Sequence, residues 1–161
     1  MPTLDGIDLH KFRSPVTINH LRQTKCEDIP QVPGVYIVLH PQKSRPVFLI
    51  MSTGGWFNGI DPSYKIEDMR RNWVKGATIL YIGKAVGKKG LRQRIEQLVA
   101  FGAGKPVGHR GGRLIWHIKK SNKLLIRWRE LPYGNPYRFE SKLINQFKKV
   151  HGVRPFANLT K

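Results

Sequence analysis

Short apolar runs bounded by glycine or turn residues mark the strands that this sequence predicts. β-branched and aromatic residues dominate these runs, which is typical of buried strands. They lie at residues 34–39, 45–51, 78–83 and 123–131. The last run alternates most clearly, because Leu124, Ile126 and Trp128 face one side and arginines face the other. Turn residues at 40–44 predict a hairpin between the first two strands, and 78–83 is predicted to be central.

Helical periodicity predicts four helices around these strands. The first is short and opens at Ser14-Pro15. Asp61-Pro62 supplies an N-cap and an N1 proline for a second helix, which is predicted to continue through Trp73. The remaining two helices are predicted at residues 91–101 and 138–150.

Composition favours a single soluble domain. Residues 1–30 are predicted to form an N-terminal arm, and residues 31–161 are predicted to form the domain. No apolar run approaches the ~20 residues that span a bilayer, and the N-terminus lacks the apolar core of a signal peptide. The single cysteine, Cys26, excludes an internal disulfide and a cysteine-based zinc site. We therefore expect a cytoplasmic protein without a membrane partner.

Net charge sets this chain apart from an average globular protein. It has 29 Lys and Arg against 10 Asp and Glu, a formal net charge of +19. Such a balance predicts a polyanionic partner, because neutralised phosphates release counterions. Charge alone leaves open a ribosomal or merely basic protein. After Glu96 the only carboxylates are Glu130 and Glu140, so carboxylate chemistry in that part of the chain has two candidates.

Glu140 falls on the apolar face of its predicted helix. At ~100° per residue it lies in the arc that also carries Phe139, Leu143 and Phe147. An unpaired carboxylate on a buried face costs several kcal/mol or shifts its pKa. Glu140 is therefore expected either to pair with a buried arginine or to bind a cation in a cleft.

Arg94 has a comparable position on the helix at 91–101. It borders the apolar stripe, and its partner is expected to be either Glu140 or a phosphate, since a guanidinium fork suits both. Arg92 points away from that stripe and is expected to pair with Glu96 at the solvated surface.

These residues occur in an order that resembles the GIY-YIG nuclease family. The matching stretches are Gly34-Val35-Tyr36, Tyr81-Ile82-Gly83-Lys84-Ala85, Leu91-Arg92-Gln93-Arg94-Ile95, Glu140 and Asn158, which together span about residues 33–159. The resemblance implies an α+β fold, a small α/β sandwich with a three-stranded antiparallel central sheet flanked by helices. An inserted hairpin and helix, at about residues 45–77, would lie between the two motif strands.

The resemblance also implies a metal-dependent endonuclease that hydrolyses DNA phosphodiester bonds in restriction, repair or mobile-element biology. Glu140 would hold Mg²⁺ or Mn²⁺, which polarises the scissile phosphate. Arg94 would neutralise charge on the transferring phosphoryl group.

Water activation would fall to one of the two tyrosines, Tyr36 or Tyr81. A phenol with a pKa near ~10 is a poor base at neutral pH, so it needs a neighbouring cation, and Lys84 is placed in sequence to supply one. Asn158 would hold the tyrosine or the substrate by hydrogen bonds.

The chain departs from the family pattern one helical turn after Arg94. Many members have tyrosine or histidine there, whereas this chain has Leu98. Either His109 or Lys84 is expected to replace the missing proton-handling group.

The insertion at 45–77 is a second departure from the family pattern, and it has two interpretations. It is either a substrate-reading element or a lid that packs Trp56 against Trp73. The loop before the arginine helix is also longer than usual, and its lysines are expected to contact phosphate. The full set of expected nucleic-acid contacts is Arg70, Arg71, Lys88, Lys89, His109, Arg110 and Arg113.

The expected partner is duplex or branched DNA, with a protein partner or a homodimer supplying specificity. A rival hypothesis is a catalytically weak nucleic-acid-binding module with the same fold, and a third is a nuclease that acts on RNA. The complete set of tyrosine, arginine, glutamate and asparagine favours an enzyme. Leu98 is the feature that favours the module.

Overall fold

The structure is a computed structural model that describes residues 3–42, 44–109 and 111–159. It has a mixed α+β fold, as the sequence predicted. The strands are β1 (Thr3–Leu4), β2 (Ile7–Asp8), β3 (Val16–Thr17), β4 (Gly34–Leu39), β5 (Ile79–Ala85) and β6 (Leu125–Glu130). The helices are α1 (Ile18–Gln23), α2 (Ile66–Asn72), α3 (Gly90–Gly102) and α4 (Pro136–His151), with 3₁₀ turns at Arg113–His117 and Ser121–Lys123. None of the helices in these described ranges is long and apolar enough to cross a membrane.

The main sheet has four antiparallel strands in the order β3-β6-β4-β5, where three were expected. The fourth strand comes from the N-terminal segment, because Val16 pairs with Ile126 and Thr17 pairs with Leu125 at the outer edge of β6. β5 was expected to be central but lies at an edge, and β4 lies between it and β6. A separate two-stranded sheet joins β1 to β2.

Residues 45–51 do not form the predicted hairpin strand. Both edges of β4 are already hydrogen-bonded, one to β5 and one to β6, so no edge is left for this segment. Instead it lies along the end of the first 3₁₀ turn. Phe48 makes an isolated bridge with Ile118, and the amide of Leu49 donates to the carbonyl of His117 at 2.6 Å.

The predicted N-terminal arm packs as part of the domain. Ile7 and Phe12 are buried on one side of the sheet, and Ile18 is buried on the other. Arg127 of β6 holds the segment in place, because its Nε donates to the carbonyl of Arg13 at 2.8 Å. Removing these residues would therefore expose core surface on both faces of the sheet.

The second predicted helix begins later than its sequence signal. Asp61 Oδ1 accepts a hydrogen bond from the amide of Ser63 at 2.9 Å, so this carboxylate caps a turn and not a helix. α2 starts at Ile66, with Lys65 as its N-cap.

Two helices cover opposite faces of the main sheet. α3 packs Leu91 and Ile95 in the hydrophobic cluster that contains Tyr36. α4 packs Leu143 and Phe147 in the cluster that contains Ile37. Because alternate residues of a strand face opposite sides, neighbouring positions of β5 face different helices. This arrangement brings side chains from β5, α3 and α4 together at the sheet edge.

Candidate active site

A cavity of about 330 Å³ opens at the edge of β5, and residues of β5, α3 and α4 line it. Four of the site residues that the sequence predicted lie in its wall: Tyr81, Lys84, Arg94 and Glu140. Tyr81 packs with the α3 cluster, whereas Lys84 reaches a side chain of α4. Residues that are far apart in the chain therefore meet at one cavity.

The two motif tyrosines lie side by side behind this cavity. The ring centroids of Tyr36 and Tyr81 are 6.0 Å apart, with an angle of 56° between the ring planes. Tyr36 is opposite Gly83 in the register of β4 and β5, and a Cβ at Gly83 would lie 2.4 Å from Tyr36 Cζ. The glycine of the YIG motif therefore makes room for the tyrosine of the GVY motif.

Only Tyr81 reaches the cavity wall. Tyr36 is fully buried, and its hydroxyl has no hydrogen-bond partner of normal geometry within the described residues. Burial raises the pKa of Tyr36 well above its ordinary value, and the adjacent Tyr81 raises it further. Burial also raises the pKa of Tyr81, and Arg94 opposes that shift. Both phenols are therefore neutral at neutral pH, and Arg94 is the cation that favours the Tyr81 phenolate.

Lys84 is not the cation that acts on the motif tyrosines, because Arg94 is the positive charge that lowers the pKa of both. Its Nζ lies 3.2 Å from Glu140 Oε1, and it also lies 4.9 Å from the ring centroid of Tyr137. The ammonium therefore neutralises the carboxylate of α4. Glu140 pairs with a lysine, and not with the buried arginine that was one of its two expected partners.

Glu140 is the only acidic residue among the described residues that form the cavity wall. No group of three or more His, Cys, Asp or Glu side chains that could hold a metal ion occurs in the described parts of the chain. Mg²⁺ commonly binds through one or two carboxylates, water and substrate phosphate. A single carboxylate with Oε1 bonded to Lys84 leaves Oε2 as a ligand. This donor set fits an ion that binds together with a phosphate.

Arg94 keeps donors available at the cavity. Its Nη1 donates to Gln97 Oε1 at 3.3 Å. Among the ion pairs of the described residues, none joins Arg94 to Glu140 or to another carboxylate. Of its two expected partners, a phosphate is the one that this geometry leaves possible.

Arg92 was expected to pair with Glu96, and the structure places it elsewhere. Its Nε donates to the carbonyl of Ile29 at 2.7 Å, and its Nη2 donates to the carbonyl of Glu27 at 3.1 Å. Backbone carbonyls of the turn after α1 are strong, fixed acceptors, whereas an exposed i,i+4 pair is worth only a few tenths of a kcal/mol. Arg92 therefore ties α3 to the N-terminal segment.

Asn158 contacts backbone and neither tyrosine. Its Oδ1 accepts from the amide of Ile82 at 2.8 Å, and its Nδ2 donates to the carbonyl of Ile82 at 2.9 Å. The amide of Ala157 adds a hydrogen bond to the carbonyl of Leu80 at 2.8 Å. The C-terminal segment thus covers the outer edge of β5 and fixes the strand that carries Tyr81.

His109 was expected to contact DNA from a loop, but its side chain is fully buried. Neither ring nitrogen has a hydrogen-bond partner of normal geometry in the described residues, although the backbone of Gly111 is close enough to oppose slightly the lowering of its pKa. Burial lowers the pKa of His109 to about 3, and the positive charges of Arg94 and Arg113 contribute to that shift. The loop is pressed against the site, since a Cβ at Gly111 would lie 1.9 Å from the Tyr81 hydroxyl. The two glycines after Arg110 were the only sequence signal for this close approach.

Burial of a neutral histidine predicts acid sensitivity. The unfolded state binds a proton at the ordinary pKa near ~6.5, whereas folded His109 does so only near 3. The unfolded state therefore carries more protons between these values, and stability falls as the pH falls. We expect the free energy of unfolding of the wild type, relative to His109→Leu, to drop by about 2 kcal/mol between about pH 7 and pH 5. Urea unfolding of both proteins measures this difference, and parallel pH dependences would contradict it.

The other residues expected to contact nucleic acid are distributed over the surface. Arg113 lies at the site, with its guanidinium carbon 5.1 Å from the ring centroid of Phe101. Arg70 and Arg71 are exposed on α2, and Arg71 pairs with Asp68. Within the described residues, three cavities contain Tyr81, Arg94 or both. Neither Arg70 nor Arg71 lines any of them. Arg110 lies outside the described residues.

Lys88 and Lys89 are exposed at the start of α3, next to the cavity residues Val86 and Gly90. A larger cleft of about 1,030 Å³ continues from the site along α4 and the C-terminal segment. It contains a cation that the sequence analysis did not single out, Arg154. In the sequence, Arg154 stood out only as one of many cations in the C-terminal third of the chain.

The insertion does not form the expected lid of Trp56 against Trp73. Trp56 is 56% exposed, whereas Trp73 packs against Phe48 and Phe156. The insertion is held to the domain by His117, whose Nε2 accepts from the amide of Tyr64 at 2.9 Å and whose Nδ1 lies 2.8 Å from the carbonyl of Leu49. That pattern corresponds to a neutral imidazole that donates from Nδ1.

Comparison with known proteins adds no family to this description. The chain matches no family model, no curated protein and no solved structure. Its function is therefore inferred from the chemistry of the cavity and from the motif order in the sequence.

Proposed function

We propose that the protein is a metal-dependent endonuclease of the GIY-YIG type that hydrolyses phosphodiester bonds in DNA. The observation that carries this proposal is the meeting of Tyr81, Lys84, Arg94 and Glu140 at one cavity. Two cations, one carboxylate and one phenol suit phosphoryl transfer, since catalysis there is mostly positioning and charge stabilisation.

Arg94 would bind the scissile phosphate. Its guanidinium lacks a carboxylate partner in the described chain, and it lines both the cavity and an adjoining pocket. A planar fork donates two parallel hydrogen bonds to phosphate oxygens, which fixes orientation as well as charge. The net charge of +19 would supply additional, less specific attraction to the DNA backbone.

Glu140 would hold the divalent ion, Mg²⁺ or Mn²⁺, through the oxygen that does not contact Lys84. The ion, when bound, supplies Lewis-acid polarisation of the phosphate and stabilises the leaving oxygen. Lys84 keeps Glu140 in place through its contact at 3.2 Å. Asn158 would act as a positioning residue, because it holds the backbone of Ile82 beside Tyr81.

Tyr81 would orient the attacking water. It lines the cavity, whereas Tyr36 lies behind it and is fully buried. A raised pKa makes Tyr81 a neutral phenol that donates or accepts a hydrogen bond, with Arg94 favouring partial loss of its proton. Tyr36 would support the Tyr81 ring from inside the core.

We expect Tyr81→Phe to lower the rate of cleavage by about 10²–10⁴-fold, because the change removes only the hydroxyl that faces the cavity. Tyr36→Phe should have a smaller effect, on the order of tenfold or less, because its hydroxyl does not line the cavity. Single-turnover cleavage by both variants measures the comparison. A larger loss in Tyr36→Phe would assign the water to the inner tyrosine.

A catalytically weak nucleic-acid-binding module is the second candidate, and two observations favour it. The position one helical turn after Arg94 holds Leu98, a fully buried side chain that cannot transfer protons. Lys84 also pairs with Glu140, the carboxylate of the cavity. Such a module would bind DNA through the same cations without turnover.

Cleavage separates the two candidates, since a strongly basic protein binds DNA under either one. The purified protein is incubated with supercoiled, branched and single-stranded DNA, and with RNA, in the presence of Mg²⁺ or Mn²⁺. A nuclease should cut at least one DNA substrate, and EDTA should stop it. Salt-sensitive binding without cleavage of any substrate would support the module, and cleavage of RNA alone would change the substrate class. Analytical ultracentrifugation on the same DNA tests whether a homodimer forms, which was one of the two expected sources of specificity.

A further inference from the structure

A second pocket, of about 320 Å³, adjoins the candidate active site, and the chemistry described above does not use it. The two share Arg94. The remaining residues are Phe57, Asn58 and Ile60 of the insertion, Gly108 of the loop that contains His109, and Arg113 at the start of the first 3₁₀ turn. Its volume is within the range of about 300–1,000 Å³ that is usual for small-ligand sites.

A tight turn presents the insertion's side of this pocket. The amide of Ile60 donates to the carbonyl of Phe57 at 3.1 Å. Asn58 and Gly59, between them, have φ values of 53° and 73°. Positive φ at both central residues is the signature of a type I′ turn, which Asn-Gly favours. The turn therefore has a defined shape that its sequence supports.

The segment that precedes this turn packs closely against the end of α3 and the residues after it. The amide of Gly55 donates to the carbonyl of Phe101 at 2.9 Å, and a Cβ at Gly55 would lie 1.9 Å from the carbonyl oxygen of Lys105. A Cβ at Gly54 would lie 2.6 Å from the ring of Phe101. These glycines let the insertion approach the end of α3 closely. The pocket is thus preformed in the fold.

The lining of the pocket combines three kinds of group. Phe57 and Ile60 supply apolar surface, Asn58 supplies an amide with donors and an acceptor, and Arg94 and Arg113 supply positive charge. A nucleotide has the complementary parts, which are a flat base with polar edges and a phosphate. Bases stack on aromatic side chains, and asparagine can read base edges.

We infer that this pocket, here termed the base pocket, receives one unstacked nucleobase of the strand whose phosphates lie on Arg94 and Arg113. The inference rests on the proposed function, because Arg94 is taken to bind the scissile phosphate. The inference also predicts which class of DNA the protein prefers. Extruding a base from an intact duplex costs a few kcal/mol, whereas an unpaired nucleotide avoids that cost. The preferred substrate is therefore DNA with an unpaired nucleotide beside the cleavage position, as in branched or single-stranded DNA.

The test measures binding without cleavage. A labelled single-stranded DNA of about 12 nucleotides, a length usual for single-strand binders, is titrated in EDTA with each nucleotide in turn made abasic. We expect one position at which loss of the base weakens binding by about 10- to 100-fold, since stacking contributes ~1–3 kcal/mol per base. Phe57→Ala should remove that sensitivity and leave the other positions unchanged.

Two further variants make the result specific to the pocket. Asn58→Gly keeps the left-handed turn but removes the amide, so it should reduce the preference among the four bases at the sensitive position. Trp56→Ala changes an exposed aromatic residue of the same loop that does not line the pocket, so its abasic scan should match the wild type. If Phe57→Ala fails to fold, the wild-type scan and the base preference of Asn58→Gly still test whether the pocket binds a base.

The inference is overturned if no position in the wild-type scan is sensitive, or if Trp56→Ala and not Phe57→Ala removes the sensitivity. An unchanged base preference in Asn58→Gly would likewise overturn the assignment of the amide. A protein that shows the sensitive position but cuts no DNA retains the base pocket and loses the proposed activity. A protein that cuts DNA without such a position retains the activity and loses the base pocket.

Discussion

Glu140→Gln should abolish metal-dependent cleavage and leave DNA affinity unchanged or higher. The change preserves the size of the side chain and removes the negative charge that Glu140 contributes to the cavity wall. Loss of a metal ligand removes several kcal/mol of transition-state stabilisation, so we expect a rate loss of at least about a thousandfold. Affinity should hold or rise, because Lys84 no longer has a carboxylate to neutralise and is free to attract phosphate.

Glu130→Gln is the matched control for this change. It is the same substitution at an exposed residue, the last one of β6. Its rate and metal dependence should match those of the wild type. Cleavage is measured over a series of Mn²⁺ concentrations, and affinity is measured separately in EDTA. Undiminished metal-dependent cleavage by Glu140→Gln would remove Glu140 from the proposed metal site.

Local periodicity was sufficient to predict the elements that carry the candidate site. Residues 91–101 form most of α3, and residues 138–150 lie within α4. The helical phase placed Arg94 at the border of the apolar stripe and Glu140 within the apolar arc, and both side chains line the cavity. A charge on a buried face is visible in a sequence because it interrupts an otherwise regular pattern.

The extent of the sheet could not be predicted from local patterns. Val47, Phe48 and Ile50 have the β-branched and aromatic character of a strand, yet β4 has no vacant edge for them. Two residues of the N-terminal segment pair with β6 and make the fourth strand. A pairing between residues 16–17 and 125–126 depends on the whole topology, which propensity does not encode.

Partner choice was the least predictable property of the polar residues. Arg92 had an acidic residue four positions away, but it bonds to two carbonyls of a distant turn. His109 lies in a glycine-rich loop, which usually indicates exposure, but its side chain is buried and the same loop approaches Tyr81 closely at Gly111. Asn158 follows no periodic element and reaches the edge of β5. Each of these contacts joins segments far apart in the chain.

The two cavities that share Arg94 suggest how the insertion contributes to specificity. The residues proposed to act on the phosphate come from β5, α3 and α4, whereas most of those in the base pocket come from the insertion and from the segment between Gly108 and Arg113. Catalysis and substrate choice would then depend on different parts of the chain, and Arg94 lines both cavities. A change at Arg94 should consequently affect both.

Arg94→Ala should lower the cleavage rate by about a hundred- to a thousandfold and leave the fold intact. The guanidinium borders the cavity and has no carboxylate partner in the described chain, so its loss removes phosphate contacts and little packing. Arg94→Lys keeps the charge and loses the planar fork, so it should recover only part of the rate. Because Arg94 also favours the Tyr81 phenolate, its removal should raise the pKa of Tyr81 further and shift the pH–rate profile to higher pH.

Arg92→Ala should give the opposite result two positions away on the same helix. Arg92 does not line the cavity but holds the carbonyls of Ile29 and Glu27. Its loss should cost about 1–3 kcal/mol of unfolding free energy and leave the rate of cleavage close to that of the wild type below the unfolding transition. Urea unfolding and single-turnover cleavage are measured for both variants. Equal rate losses, or a large stability loss in Arg94→Ala, would show that α3 does not present these two arginines as described.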